Sequence, residues 1–352
     1  MKTMIDIKKL ARPNVMALKP YTSARDDFKE MNVNYVFLDA NENPFNNGLN
    51  RYPDPQQNKL KEILSELKQV PKEQILLGNG SDEVLDLIFR VFCEPNKDSI
   101  VILPPTYGMY EVLANVNAIK TIKILLKEDF QPNVEDILNN VDNTTKLLFL
   151  CSPNNPTANS FNASAIEQLI QSFQGLVIID EAYIDFSAQE SWLSRLEDFP
   201  NLIVTQTLSK AYGLAGIRLG ICYSSKEIIA LLNKIKPPYN INELTQQKAL
   251  TQLQKAAQLQ DEVCSILEQR ELLQKELENI PYIEKIYPSD ANFLLLKVDD
   301  ANKRYEQLVT KGIVVRNRSK EPLCANCLRI TVGNSKENQI LIQTLKNLET
   351  SL

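Results

Sequence analysis

Short apolar runs alternate with helical patterns through the middle of this chain, and that alternation leaves few folds open. The runs lie at 75–77, 99–103, 146–151, 176–179, 202–205 and 220–223, with helical periodicity between most of them. A strand that returns parallel to its predecessor needs a crossover, and a helix covers the face it leaves. The expected large unit is therefore α/β, with a mostly parallel central sheet. From 242 to 279 the chain is rich in Leu, Gln, Glu and Lys and free of Gly and Pro, just after Pro237 and Pro238. This predicts one long helix, or two abutting ones, leaving the sheet. Strand candidates at 292–298, 313–316 and 328–332, with helices at 302–311 and 336–348, make a second, smaller α/β unit. The predicted division is an N-terminal arm over 1–32, a large domain over 33–241 and a small C-terminal domain over 242–352.

Composition excludes several function classes. A net charge of −5 argues against a nucleic-acid partner, which needs a basic face. No apolar run is long enough to span a bilayer, and the charged N-terminus lacks a signal-peptide core, so a cytoplasmic location is expected. The chain has no histidine, which removes Ser-His and Cys-His nucleophile pairs and all His-based metal sites. Acid–base work falls to Lys, Tyr and carboxylates. Cys324 and Cys327 form a lone CxxC, and a structural zinc needs four ligands, so no metal is expected. The six scattered cysteines read as reduced, mostly buried thiols.

In an open parallel sheet, ligands sit beyond the carboxyl ends of the strands. Here those ends lead into Gly78-Asn79-Gly80-Ser81-Asp82-Glu83, Tyr107, Asn155, the pair Asp180 and Tyr183, and the group Thr207, Ser209 and Lys210, with Arg218 close behind. Ser81 is expected to cap a helix running to Phe92, with Asp82 and Glu83 in its first turn. Singly, each residue has a plainer reading: a solvated lysine, a turn-capping carboxylate, core tyrosines. Together they offer an anion-binding helix start, an aromatic plate, an amide, a carboxylate, phenols and a lysine. That set suits pyridoxal phosphate. It needs a lysine for a Schiff base, a cradle for its phosphate, a carboxylate facing its pyridine nitrogen and a flat side chain against its ring.

The segments Asp180-Glu181-Ala182-Tyr183 and Ser209-Lys210-Ala211-Tyr212-Gly213, with Arg218, resemble the fold-type I aminotransferases of class II. Segments 38–44, 51–53, 78–83, 152–157, 207–218 and 327–333 are similar to the histidinol-phosphate aminotransferase family, in the expected order from about Tyr21 to Gly333. The resemblance implies the fold-type I architecture, pyridoxal 5'-phosphate as cofactor and ping-pong transamination. Its substrates would be L-histidinol phosphate and 2-oxoglutarate, its products imidazole acetol phosphate and L-glutamate. It also implies roles. Lys210 would form the Schiff base and carry the proton shift, Asp180 would pair with the pyridine nitrogen, and Tyr183 and Asn155 would bond the ring oxygen. Tyr107 would stack on the ring. The backbone amides of Ser81 and Asp82, with Thr207, Ser209 and Arg218, would hold the phosphate. Tyr52 of the partner subunit would join them in a homodimer. Arg329 would receive the substrate's anionic group, with Arg316 and Tyr21 beside it. Arg318 reads as an ordinary surface cation.

One departure stands out. The family's Asn-Pro-Thr-Gly is here Asn155-Pro156-Thr157-Ala158. A positive φ at that position would strain alanine, unless the turn differs or Asn159 takes the role. Two other enzymes would share nearly all the cofactor residues: an aminotransferase of aromatic amino acids and a decarboxylase of phosphothreonine type. A cofactor-binding regulator ranks lower, because this chain is acidic and the catalytic region begins early.

Overall fold

The computed structural model describes residues 5–21 and 36–348. Strands β1 (Ile75–Asn79), β2 (Ser99–Ile102), β3 (Lys120–Lys123), β4 (Thr145–Cys151), β5 (Leu176–Asp180), β6 (Leu202–Thr207) and β7 (Leu219–Ser224) form one sheet in the order β1-β7-β6-β5-β4-β2-β3. Strands β6, β5, β4, β2 and β3 run parallel. Only β7 runs against its neighbours, pairing antiparallel with both β1 and β6. The carboxyl ends of β1, β2, β4, β5 and β6 therefore open on one edge of the sheet.

Alternation along the strands fills two cores. Leu148, Leu150, Val177 and Ile179 belong to one cluster, and Leu147, Phe149, Leu176 and Ile178 to the other. The central strands are apolar on both faces because helices cover both. Helix Gly80–Phe92 buries Val84, Leu85, Ile88 and Phe89 against the second face. Each such side chain contributes about 1.5–3 kcal/mol of burial. The sequence reading missed β3, an edge strand whose Lys120 and Lys123 are exposed. Edge strands keep charges that blunt further pairing, so they lack the apolar signal of central strands.

A second sheet holds β8 (Ile283–Ile286), β9 (Phe293–Val298), β10 (Arg316–Asn317) and β11 (Cys327–Thr331), all antiparallel, in the order β10-β11-β9-β8. Again the missed strand, β8, lies at an edge, and the run expected at 313–316 pairs only from Arg316 onward. One face of this sheet, with Leu294, Leu296, Leu328 and Ile330, packs on its own helices. The other, with Phe293, Leu295 and Cys327, joins the core of the large sheet. That second face brings β11 to the open edge of the large sheet.

The Gly- and Pro-free stretch resolves into two abutting helices, Glu243–Leu253 and Ala256–Leu277. Asn242 caps the first, accepting from Thr245 N at 2.9 Å. At the N-terminus, Ile7, Ala11 and Val15 pack into the second core, and Lys234 Nζ donates to Val15 O and Met16 O at 3.2 and 2.8 Å. This part of the expected arm is thus fixed on its own chain, and residues 1–4 and 22–32 lie outside the described residues. Among the described residues, no helix is long and apolar enough to cross a membrane. None of the six cysteines is in a disulfide, and all but Cys264 are buried.

Candidate active site

A cleft of about 490 Å³ opens where the carboxyl ends of β1, β4, β5 and β6 meet. Asp180 closes β5 and sits at its floor, buried. Burial pushes its carboxyl above the usual carboxylate range. Two donors oppose that shift: the Tyr110 hydroxyl, 2.7 Å from Oδ2, and Ala182 N, 3.2 Å from Oδ1. Lys210 follows β6 and reaches into the cleft, with Nζ 5.5 Å from the centroid of the Tyr183 ring. Burial lowers the Lys210 pKa most, the charge of Arg329 lowers it further, and Asp180 pulls it back up. Burial raises the Tyr183 phenol, and Arg329 is among the charges that counter it.

One end of the cleft is built to take an anion. Gly80 has φ +72 and opens helix Gly80–Phe92, whose first turn carries Ser81 and Asp82. First-turn N–H groups have no intrahelical partners and favour negative charge. Gly220 on β7 must be glycine, since a Cβ there would meet Gly80 C at 2.3 Å and Ser81 N at 2.4 Å. Across from the helix start, Thr207 and Ser209 share a 3.0 Å hydroxyl bond, and Arg218 Nη2 stands 3.4 Å from Asp82 Oδ2. Arg218 holds a left-handed φ of +55, the kind of backbone strain found at ligand sites.

The structure corrects the expected role of Ser81. The residue at the cap position is Asn79, and the Glu83 carboxylate reaches back to accept from its N–H. The positive φ of Gly80 starts the helix earlier than a serine cap would, so Ser81 falls in the first turn and lines the cleft.

Tyr107 stands over the cleft, its hydroxyl 3.2 Å from Asp82 Oδ1. Its ring meets that of Tyr110 edge-on at 5.5 Å. Asn155 is buried, and its Oδ1 accepts a short bond from Arg329 Nη1. The Arg329 guanidinium in turn lies 5.2 Å from the Phe293 ring, which packs edge-on against Tyr183 at 5.1 Å. The small sheet thus contributes a cation to the rim of the large sheet's cleft. Ala158 has φ +68, so the loop keeps its left-handed turn with alanine in it, and Asn159 does not take the role.

Four expected residues do not line this cleft, and of these Arg329 reaches it through Asn155. Tyr52 is half-exposed and lines a separate surface cleft, stacked on Tyr239 at 4.5 Å. Tyr21 is exposed, next to the undescribed 22–35 segment. Arg316 is exposed and paired across the strands with Arg329. Tyr110, which holds Asp180, was not singled out from the sequence. Tyr110 sits three residues past Tyr107 in a helix, and that spacing was the available signal.

Residues 26–345 match the family model for aminotransferase class I and II, and the chain belongs to that family. Within it, the chain is 62% identical over 344 residues to a histidinol-phosphate aminotransferase of Flavobacterium johnsoniae, covering 97% of this chain and 99% of that one. Among solved structures, the histidinol-phosphate aminotransferase from Clostridium acetobutylicum superposes with a TM-score of 0.80 at 25% identity, over 86% of this chain and 92% of that one. The Sinorhizobium meliloti enzyme of the same name, solved in complex with pyridoxal-5'-phosphate, superposes with a TM-score of 0.77 at 23% identity, over 85% of this chain and 83% of that one.

Proposed function

We propose that this chain transfers the amino group of L-histidinol phosphate to 2-oxoglutarate, giving imidazole acetol phosphate and L-glutamate, with pyridoxal 5'-phosphate held by Lys210. The observation that carries the reading is the Arg329–Asn155 contact, which joins a cation for the substrate's tail to the cleft that suits the cofactor. The cleft's donor set fits that cofactor: a lysine of lowered pKa, a buried carboxylate held by two donors, and an anion cradle.

When bound, pyridoxal phosphate supplies an aldehyde for an amine to attack and a protonated ring that withdraws electrons from the substrate's α-carbon. Asp180 would pair with the ring nitrogen and favour its protonated form. Tyr183 and Asn155 would hydrogen-bond the ring oxygen, and Tyr107 would stack on the ring. The N–H groups of Ser81 and Asp82, with Thr207, Ser209 and Arg218, hold the phosphate. Lys210 Nζ would take the proton from the donor's α-carbon and carry it in the 1,3-shift. Its lowered pKa keeps more of the amine free to do so. Arg329, with Arg316 and Tyr21, receives phosphate from one substrate and carboxylate from the other, since guanidinium pairs with both.

The working unit is a homodimer in which Tyr52 of the partner subunit reaches the cofactor phosphate. Its place outside its own chain's cleft supports this. The presence of two separate sheets supports a division into an arm (1–32), a large domain (33–241) and a small domain (242–352). Free, mostly buried thiols favour the cytoplasm.

Single-turnover rates with L-histidinol phosphate and with histidinol test the donor. The phosphate ester should react far more efficiently, and equal efficiency would refute the assignment. Turnover without any 2-oxo acid acceptor would point to a decarboxylase instead.

A further inference from the structure

The loop that carries Asn155 is closed on itself. Asn154 N donates to Asn159 O and Ala158 N to Asn154 O, both at 2.8 Å. The Asn154 side chain donates from Nδ2 to Thr157 Oγ1 at 2.7 Å and to Pro105 O at 2.8 Å. Asn155 therefore moves only with the whole loop. One side of the loop rests on the large sheet, where Ser152 N donates to Asp180 O at 3.0 Å. The other side rests on Asp290, in the turn that leads into β9. Asp290 N donates to Ala158 O at 2.8 Å, and Asp290 Oδ2 accepts from Ser160 N at 2.9 Å. Ala158 and Ser160 are both buried, so a backbone group left unpaired there would be costly.

The same turn braces the segment that carries Tyr183. Arg270, on helix Ala256–Leu277, donates from Nη1 to Ala291 O at 2.9 Å and to Phe186 O at 3.4 Å. Phe186 N in turn donates to Tyr183 O at 3.1 Å. Further along, Phe293 opens β9 and packs edge-on against the Tyr183 ring. Its neighbour β11 pairs Arg329 with Leu295 and sends the Arg329 guanidinium to Asn155 Oδ1. An amide whose oxygen is taken has its Nδ2 hydrogens left to offer. Arg329 thus orients the Asn155 amide, and Asp290 fixes where the loop beneath that amide stands.

We propose that Asp290 is a positioning residue, which by holding Ala158 and Ser160 sets the reach of Asn155 to the cofactor's ring oxygen. This rests on the assignment of Asn155 to that oxygen above. The bridge ties the contact to the small sheet, so the group that meets the ring and the group that meets the substrate's anion share one support. Donors to the ring oxygen hold its negative charge. Displacing one raises the pH at which the bound cofactor's colour titrates.

The test uses holoenzyme carrying Asp290→Ala, Asp290→Asn, Asn155→Ala, or Asp290→Ala with Asn155→Ala. The visible absorbance of bound pyridoxal phosphate is titrated against pH for each. Asp290→Ala should raise the midpoint by about half a pH unit or more, as weakening a hydrogen bond to a charged oxygen does. Asp290→Asn should recover most of that shift, because its amide oxygen still accepts from Ser160 N. The double variant should shift no further than Asn155→Ala alone, since Asp290 acts through Asn155. An unmoved midpoint in Asp290→Ala overturns the proposal, even where denaturant unfolding shows lost stability, and so does a double variant whose shifts add. Asp290→Asn as displaced as Asp290→Ala overturns it too, and assigns the effect to the charge that Asp290 presents to Arg270. If Asn155→Ala itself leaves the midpoint in place, the Asn155 assignment falls and the proposal with it. A shift in Asn155→Ala with none in Asp290→Ala removes the proposal alone.

Discussion

The Tyr110 hydroxyl donates a 2.7 Å hydrogen bond to Oδ2 of Asp180, and both side chains are buried. The same tyrosine meets Tyr107 edge-on and stacks on Phe149 at 4.8 Å. One residue therefore steadies both the carboxylate at the floor of the cleft and the ring above it. Tyr110→Phe keeps the packing and removes only the donor. The ligand-free variant should lose about 1.5–3 kcal/mol of stability near neutral pH. The sign of the pH effect follows from which form the hydroxyl serves. Asp180 is already raised above its ordinary value, and losing a donor to the carboxylate raises it further. The deficit should therefore shrink as pH falls and the carboxyl takes up a proton. Denaturant unfolding of both proteins at about pH 7 and about pH 5 checks this, and an equal deficit at both would assign the hydroxyl to packing alone.

Lys210 should be the residue that captures the cofactor. Borohydride reduction and peptide mapping should place the label there, and Lys210→Ala should take up pyridoxal phosphate without covalent attachment. Because burial and the Arg329 charge lower its pKa, the capture rate should rise with pH about a midpoint below the ordinary lysine value. Arg329→Gln removes a positive charge, so the midpoint should move upward. A label on another lysine, or a midpoint that moves down, would sink the assignment.

Tyr52 should act across subunits. Tyr52→Ala and Lys210→Ala should each be inactive or nearly so alone. Mixed as heterodimers, they should regain part of the activity, because one of the two shared sites is then intact. A monomer by sedimentation, with no recovery on mixing, would count against the shared site.

Ala158 is buried with φ +68, its N–H bonded to Asn154 O and its O to Asp290 N, both at 2.8 Å. Glycine would relieve about 1–2 kcal/mol of left-handed strain. It would lose about 0.8 kcal/mol for the buried methyl and about 0.4–1 kcal/mol through the freer unfolded chain. Ala158→Gly should then lie within about 0.5 kcal/mol of the parent, the net of those terms. A loss above about 1.5 kcal/mol in denaturant unfolding would mean that the turn carries no strain.

The central strands, most helices and the order of the cleft residues were legible in the sequence by itself, because apolar periodicity and strand-end positions are local signals. Edge strands β3 and β8 were not, since lysines and exposed positions hide their alternation. Asp180, Tyr183 and Lys210 could be read as a set because each follows a strand, and parallel strands bring those ends together. Tertiary structure decided the rest. Tyr110 reaches Asp180 across 70 positions of chain, and Arg329 reaches Asn155 across 174. Neither spacing follows from local pattern, because both depend on how a helix and a second sheet dock. The same docking decides which face of β10 turns inward, since that is fixed by its packing partner.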